Sequence, residues 1–214
     1  MTILLGIGYL NAQTITADLS LKYAYSATGL FNKSISDLGA SQDYNFAYST
    51  NYGLAGNINF GKIGLGLEYL LGSFKGGYQG DLALGTYTSE VDLKTTQIPV
   101  YLRLGGSRGS FGEFGVVMHS VKDAQYTNSN SLIDPSFDVT NQYQNFLGYM
   151  VGVGGRIGLP KIPVMISLSA RFMYSTADAK GVDALGIDLD LYNPVYKTNA
   201  ASVGLHAALV YSLD

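Results

Sequence analysis

Eight separate stretches between Ile15 and Leu213 exchange apolar with small or polar residues at almost every step. A two-residue period places alternate side chains on opposite faces of a strand, and no helical period is sustained anywhere, so the chain reads as all β. The last stretch, Ser202 to Leu213, shows the pattern. Val203, Leu205, Ala207, Leu209, Tyr211 and Leu213 alternate with Ser202, Gly204, His206, Ala208 and Ser212. The stronger constraint is where the charges fall. Asp18, Lys22, Glu68, Arg103, Glu113, Arg156 and Arg171 all lie on the face rich in glycine, serine and asparagine. A small water-soluble barrel would turn its apolar face inward. Here the narrow polar face suits a lumen and the continuous Leu/Val/Ile/Tyr face suits lipid, which is the polarity of a transmembrane barrel.

Composition agrees with that reading. Charged residues make up 14 % of the chain, against about 25 % in an ordinary soluble domain. Glycine (27) and tyrosine (17) are abundant, and no apolar run approaches the length of a membrane helix. The net charge of −3 argues against nucleic acid as a partner, and the absence of cysteine excludes disulfides and thiolate metal sites. The first residues, MTILLGIGYLNAQ, resemble the apolar core and cleavage site of a signal peptide. Residues 1–12 are therefore expected to be a signal-peptide remnant and residues 13–214 a single barrel domain.

The links between stretches alternate in length. Gly61–Lys62, Gly105–Ser110 and Gly158–Ile162 are short; 29–43, 75–89, 122–144 and 175–199 are long and polar. That alternation predicts an eight-stranded antiparallel up-and-down barrel, with turns at the periplasmic rim and loops outside. Tyr23, Tyr25, Tyr44, Tyr48, Tyr69, Tyr174 and Tyr211 are expected to form an interfacial girdle. Pro99 interrupts the stretch TTQIPVYLRLGG, where a strand paired on both sides should exclude proline. Val91 and Leu93 occupy odd positions, whereas Ile98, Val100, Leu102 and Leu104 occupy even ones. If all six face lipid, one extra residue is needed, and a bulge is expected within Thr95–Pro99.

The segment QIPVYLRLG, followed by FGEFGVVM with Glu113 and Gly115, resembles two strands of the PorT-like outer-membrane barrels of Bacteroidota. LKYAYSATGL and GYMVGVGGRIGL are similar to that family's first and sixth strands more loosely. The resemblance implies an eight-stranded barrel of the OmpX/OmpA-like build in the outer membrane of a Gram-negative bacterium. It implies no particular activity, and the chain departs from outer-membrane habit in ending VYSLD rather than on an aromatic residue.

An eight-stranded lumen has room for little more than side chains, so the seven inward charges are expected to pair as a polar plug. His119 and His206 also fall on inward positions. A metal or catalytic pair can be imagined, but the two stretches are not sequential neighbours and no carboxylate stands at ligand spacing, so they read as lumen histidines. The long loops contain no histidine, which disfavours a hydrolase or acyltransferase at the outer rim. Asp188 and Asp190 alternate with Ile187, Leu189 and Leu191, which reads as a hairpin arm rather than a calcium loop. The short turns hold Lys62, Arg108 and Lys161 and no acid. No catalytic residue, cofactor or metal is expected. The sequence therefore points to a non-enzymatic outer-membrane barrel with a structural or interaction role. Its partners would be lipid and envelope proteins met at the loops or periplasmic turns, as in a secretion or assembly complex. The alternative is a narrow porin-like channel for ions or small solutes.

Overall fold

A computed structural model describes residues 15–83, 85–105, 108–129, 135–191 and 195–213. The expected signal remnant, residues 1–12, lies outside the described residues. The strands in chain order are β1 (Ile15–Asn32), β2 (Asp43–Asn45), β3 (Ala47–Phe60), β4 (Ile63–Leu82), β5 (Gly85–Leu104), β6 (Gly109–Asn128), β7 (Ser136–Asp138), β8 (Phe146–Gly158), β9 (Val164–Ser175) and β10 (Thr198–Leu213). Eight of them form a closed antiparallel ring, β1-β3-β4-β5-β6-β8-β9-β10, in which β10 returns to pair with β1 from Ala17↔Leu213 to Asn32↔Thr198. Closure leaves no free edge in the ring, so backbone polar groups are met internally, as a hydrocarbon surround requires. The short β2 and β7 lie outside the ring, on β4 and β6.

The outer face is apolar and exposed all the way round. Val153 is 67 % exposed and Leu205 71 %, while the alternate residues of β1, β4 and β9 are turned inward and mostly buried. Glycine supplies two local necessities. Gly61, at φ +61°, makes the left-handed turn between β3 and β4. At Gly66 a Cβ would collide with the ring of Tyr101, so the missing side chain is what admits that ring to the lumen. Tyr23, Tyr25, Tyr48, Tyr69, Tyr174 and Tyr211 face outward, and Tyr25 stacks on Tyr48 with ring centroids 5.6 Å apart. Tyr44 does not join them. Its hydroxyl accepts from the Asn32 N–H (2.7 Å) and donates to the Asn32 carbonyl (2.6 Å), standing in for a strand partner where β3 has peeled away from β1.

Three expectations need correcting. The first is the bulge. Register shifts between β5 and β6, but the pairs Lys94↔Asp123 and Thr95↔Val121 leave the extra residue, Lys122, on β6. Val91 and Leu93 are fully buried and face the same side as Tyr101 and Arg103, so β5 needs no inserted residue. Pro99 itself stays in register with Val117, and the β4–β5 ladder merely skips the two positions between Leu67↔Val100 and Leu70↔Gln97. A proline without an N–H opens a gap in a ladder without shifting it.

The second correction concerns the long links. β4 and β5 continue as a paired hairpin to Leu82↔Gly85, and β6 runs to Asn128. At about 20 residues these strands are twice the roughly 9–11 that cross hydrocarbon. The third is the final loop. It is no projecting arm: Ala179, Val182, Ala184 and Leu189 are buried in one apolar cluster with Phe74, Tyr78 and other side chains of the upper strands. The loop folds inward over the mouth of the barrel.

Candidate functional site in the barrel lumen

Strand alternation aims Asp18 and Lys22 (β1), Glu68 (β4), Arg103 (β5), Glu113 (β6), Arg156 (β8) and Arg171 (β9) into the lumen, and none is more than 9 % exposed. Two groups result. Towards the short-turn end of the ring, the Arg156 Nη1 donates to Asp18 Oδ2 at 2.6 Å, and Asn59 and Ser212 donate to the same carboxylate. Further up, five charges run in alternating sign: Lys22, Glu68, Arg171, Glu113 and Arg103. Lys22 Nζ lies 2.5 Å from Glu68 Oε1. Arg171 gives Nη1 and Nη2 to the two oxygens of Glu68, at 2.9 and 2.7 Å, and its Nε to Glu113 at 2.7 Å. Arg103 donates to the other Glu113 oxygen through Nη2, at 2.6 Å. The two-pronged Arg171–Glu68 contact is the geometry a guanidinium favours with a carboxylate.

The ring order gives this contact its meaning. β9 and β4 are four strands apart whichever way the ring is followed, so the Arg171–Glu68 pair crosses the full diameter of the lumen. Aromatic rings close the space around it. Arg103 lies over Phe111 at 4.4 Å, Arg171 over Tyr101 at 5.0 Å, and the Tyr101 hydroxyl donates to Asn57 at 3.0 Å. Phe111 carries no charge and escapes a reading based on ionisable groups. It stands two residues before Glu113 on the same face, so extending the alternation backwards would have found it.

The two histidines reach one cavity despite their separation in the ring. His119 of β6 is stacked on Phe146 (4.4 Å between centroids, 11° between planes) and edge-on to Phe74. His119 and His206 of β10 line the same small cavity above the charge chain. Among the described residues no three His, Asp, Glu or Cys side chains cluster in a way that could hold a metal ion.

At the long-loop end of the ring the packing is that of a soluble protein. Gln42 donates to Asp183 at 2.9 Å, and both side chains are buried under the final loop. The hydroxyls of Ser89 and Tyr126 donate to the Ala184 carbonyl. Burial, with Asp183 nearby, pushes the Tyr87 hydroxyl up to about 12; it stays neutral and donates to the Ser41 carbonyl. Desolvation pushes Tyr143 higher still.

A closed eight-stranded ring with lipid-facing apolar side chains outside and paired charges inside defines an integral outer-membrane β-barrel. The outer membrane protein OprG from Pseudomonas aeruginosa has a similar structure, with a TM-score of 0.50 at 12 % identity over 94 % of this chain and 97 % of that one. Neisserial surface protein A, NspA, gives 0.43 at 9 % identity over 90 % and 96 %. Ail, the attachment invasion locus protein of Yersinia pestis, gives 0.43 at 11 % over 91 % and 99 %. At these identities the likeness is one of fold. No family model matches the chain, and no curated protein matches it.

Proposed function

We propose that the protein is a non-enzymatic outer-membrane barrel with a closed lumen, offering its extracellular cap and basic periplasmic turns to other components of the envelope. The observation that carries this is the Arg171–Glu68 pair spanning the lumen diameter, with Lys22, Glu113 and Arg103 completing the chain. A hydrated pore through that section would have to break buried ion pairs, and removing one member of such a pair costs about 3–5 kcal/mol. Both histidines sit in the lumen, and the two ring nitrogens of His119 and Nδ1 of His206 carry no hydrogen bond among the described residues, which supports a non-catalytic reading. The short resemblance to PorT-like barrels fits a subunit of an envelope secretion or assembly complex, with the cap or the turns carrying Lys62, Arg108 and Lys161 as its contact surface.

Planar-bilayer recording on the purified protein tests the closed lumen. The expected result is no steady conductance from the wild type. A steady pore whose conductance changes in Arg103→Ala or Glu113→Ala would replace this reading with the narrow channel. Extraction of the native membrane in mild detergent, followed by mass spectrometry, tests the second half: a complex subunit brings its partners with it in fixed stoichiometry.

A further inference from the structure

The outward faces of three neighbouring ring strands repeat one order of chemistry at the long-loop end. Read towards the loops, β4 carries Leu71, Ser73 and Lys75, β5 carries Ile98, Thr96 and Lys94, and β6 carries Met118, Ser120 and Lys122. Each set occupies alternate positions and so shares one face. On β5 and β6 the first two tiers are direct cross-strand pairs, Ile98↔Met118 and Thr96↔Ser120. β4 is offset by one outward position, with Leu71 opposite Thr96 and Ser73 opposite Lys94, an offset that strand tilt largely levels. The result is an apolar tier, a recessed hydroxyl tier and an ammonium tier. The other five ring strands do not share it. Their outward residues at the same end include Phe31, Phe46, Leu147, Tyr174 and Ala201, with no lysine. A fringe that only marked the edge of the hydrocarbon would run all the way round; this one is a patch.

The lysines select the kind of group that meets them. Lys75 bonds Glu90 at 2.6 Å and reaches Asp92 at 3.8 Å, and Lys94 bonds Asp92 at 2.7 Å. Both acids lie further from the apolar tier along β5, and every member of these pairs is partly exposed, so the pairs are weak and can exchange partners. Lys122 is exposed and enters none of them, while Asp123 beside it accepts from the Thr140 hydroxyl at 3.4 Å. Three ammonium groups at the lipid edge, one of them uncommitted, complement phosphate placed just beyond acyl chains. Width narrows the lipid further. At about 4.8 Å between strands, each tier is roughly 10 Å across. That suits a sugar backbone bearing several chains and more than one phosphate better than a single glycerol phosphate.

We propose that this face of β4, β5 and β6 binds a phosphorylated, multiply acylated sugar lipid. Its chains lie along the apolar tier, its sugar backbone rests against Ser73, Thr96 and Ser120, and its phosphates meet Lys75, Lys94 and Lys122. The site is on the outer wall, so it stands whether or not the lumen conducts.

Native mass spectrometry of the purified barrel tests the site, in micelles doped separately with diphosphoryl lipid A, monophosphoryl lipid A or phosphatidylglycerol. The expected result is one diphosphoryl lipid A retained per barrel, with weaker retention of the monophosphoryl form and the weakest of phosphatidylglycerol. Lys94→Gln and Lys122→Gln should each lower retention of the diphosphoryl form about fivefold, the effect of one lysine at a membrane surface. Lys197→Gln changes an exposed lysine off the patch and should leave retention unaltered. Equal retention of all three lipids, or a loss in Lys197→Gln as large as in Lys122→Gln, reduces the patch to general surface charge and overturns the proposal. Displacement of the lipid by inorganic phosphate would show recognition of phosphate without the other two tiers, and overturns it as well.

Discussion

The two ends of β5 share one alternation and have opposite polarity. Towards the periplasm its outward side chains are Ile98, Val100, Leu102 and Leu104, and its inward ones include Tyr101 and Arg103. Towards the outside the outward residues are Thr88, Glu90, Asp92 and Lys94, and the inward ones are Tyr87, Val91 and Leu93. Faces do not switch along the strand; the solvent does. The lower half is an inside-out barrel in lipid, and the upper half is a small globule in water with an ordinary apolar core. The crossover near Lys94 coincides with the Lys122 bulge on the neighbouring strand, where extra twist helps the hairpin leave the cylinder.

The most damaging way to break this comparison is to attack the lower interior. Glu68→Gln leaves Arg171 and Lys22 without their shared partner, and should cost about 3–5 kcal/mol in urea unfolding from detergent micelles or lipid vesicles. A loss below about 1 kcal/mol would mean the lumen is hydrated enough to solvate both cations. Next comes a matched pair on one face of one strand. Leu102→Arg puts a charge in lipid and should cost about 2–4 kcal/mol, whereas Thr88→Arg, above the crossover, should stay within about 0.5 kcal/mol of wild type. Equal costs would erase the proposed membrane boundary.

The cap can be probed more gently. Gln42→Ala removes a buried donor to Asp183 and should cost about 1–3 kcal/mol locally, read as faster proteolysis within the loop 175–191 with the ring still heat-stable. Loss of the entire barrel in step with the loop would show the two regions to be one cooperative unit. Alkaline titration is milder still. Tyr87 has its hydroxyl raised from the ordinary value of 10 to about 12. Its contribution is therefore complete below about pH 10 and is lost as the pH climbs through about 12. Cap opening, followed by the same proteolysis, should begin in that window. The smallest effect belongs to the exposed pair Lys180–Asp190 at 2.7 Å: Lys180→Ala should leave the urea unfolding midpoint unchanged, because solvent screens the pair.

Much of the site is legible in the amino-acid sequence. Strand periodicity assigned Asp18, Lys22, Glu68, Arg103, Glu113, Arg156 and Arg171 to one face, and the chemistry of a narrow lumen implied that they should find partners. Which partners they find was not readable. Lys22 with Glu68, or Arg171 with both Glu68 and Glu113, depends on strand stagger and ring order, because residues 103 positions apart in sequence meet across a diameter. The histidines illustrate the same limit. Their stretches are not sequential neighbours, which argued against a pair, yet an eight-stranded interior is so narrow that strands three apart in the ring share one cavity.

Local alternation, turn glycines and the placement of charge are properties of neighbouring residues, and these fix an all-β chain with a polar side and an apolar side. They determine neither which length of a strand lies in lipid nor what the last loop does, because Val91 and Leu93 have the same residue chemistry as Leu102 and Leu104. Only closure of the ring decides that Val91 and Leu93 look inward with Arg103. Only the fold of the loop, bringing Asp183 to Gln42 and Leu189 into the upper core, makes a lid of a segment that reads locally as an arm. The physical reason is range: a two-residue period is written in each strand, whereas burial is settled by what stands opposite.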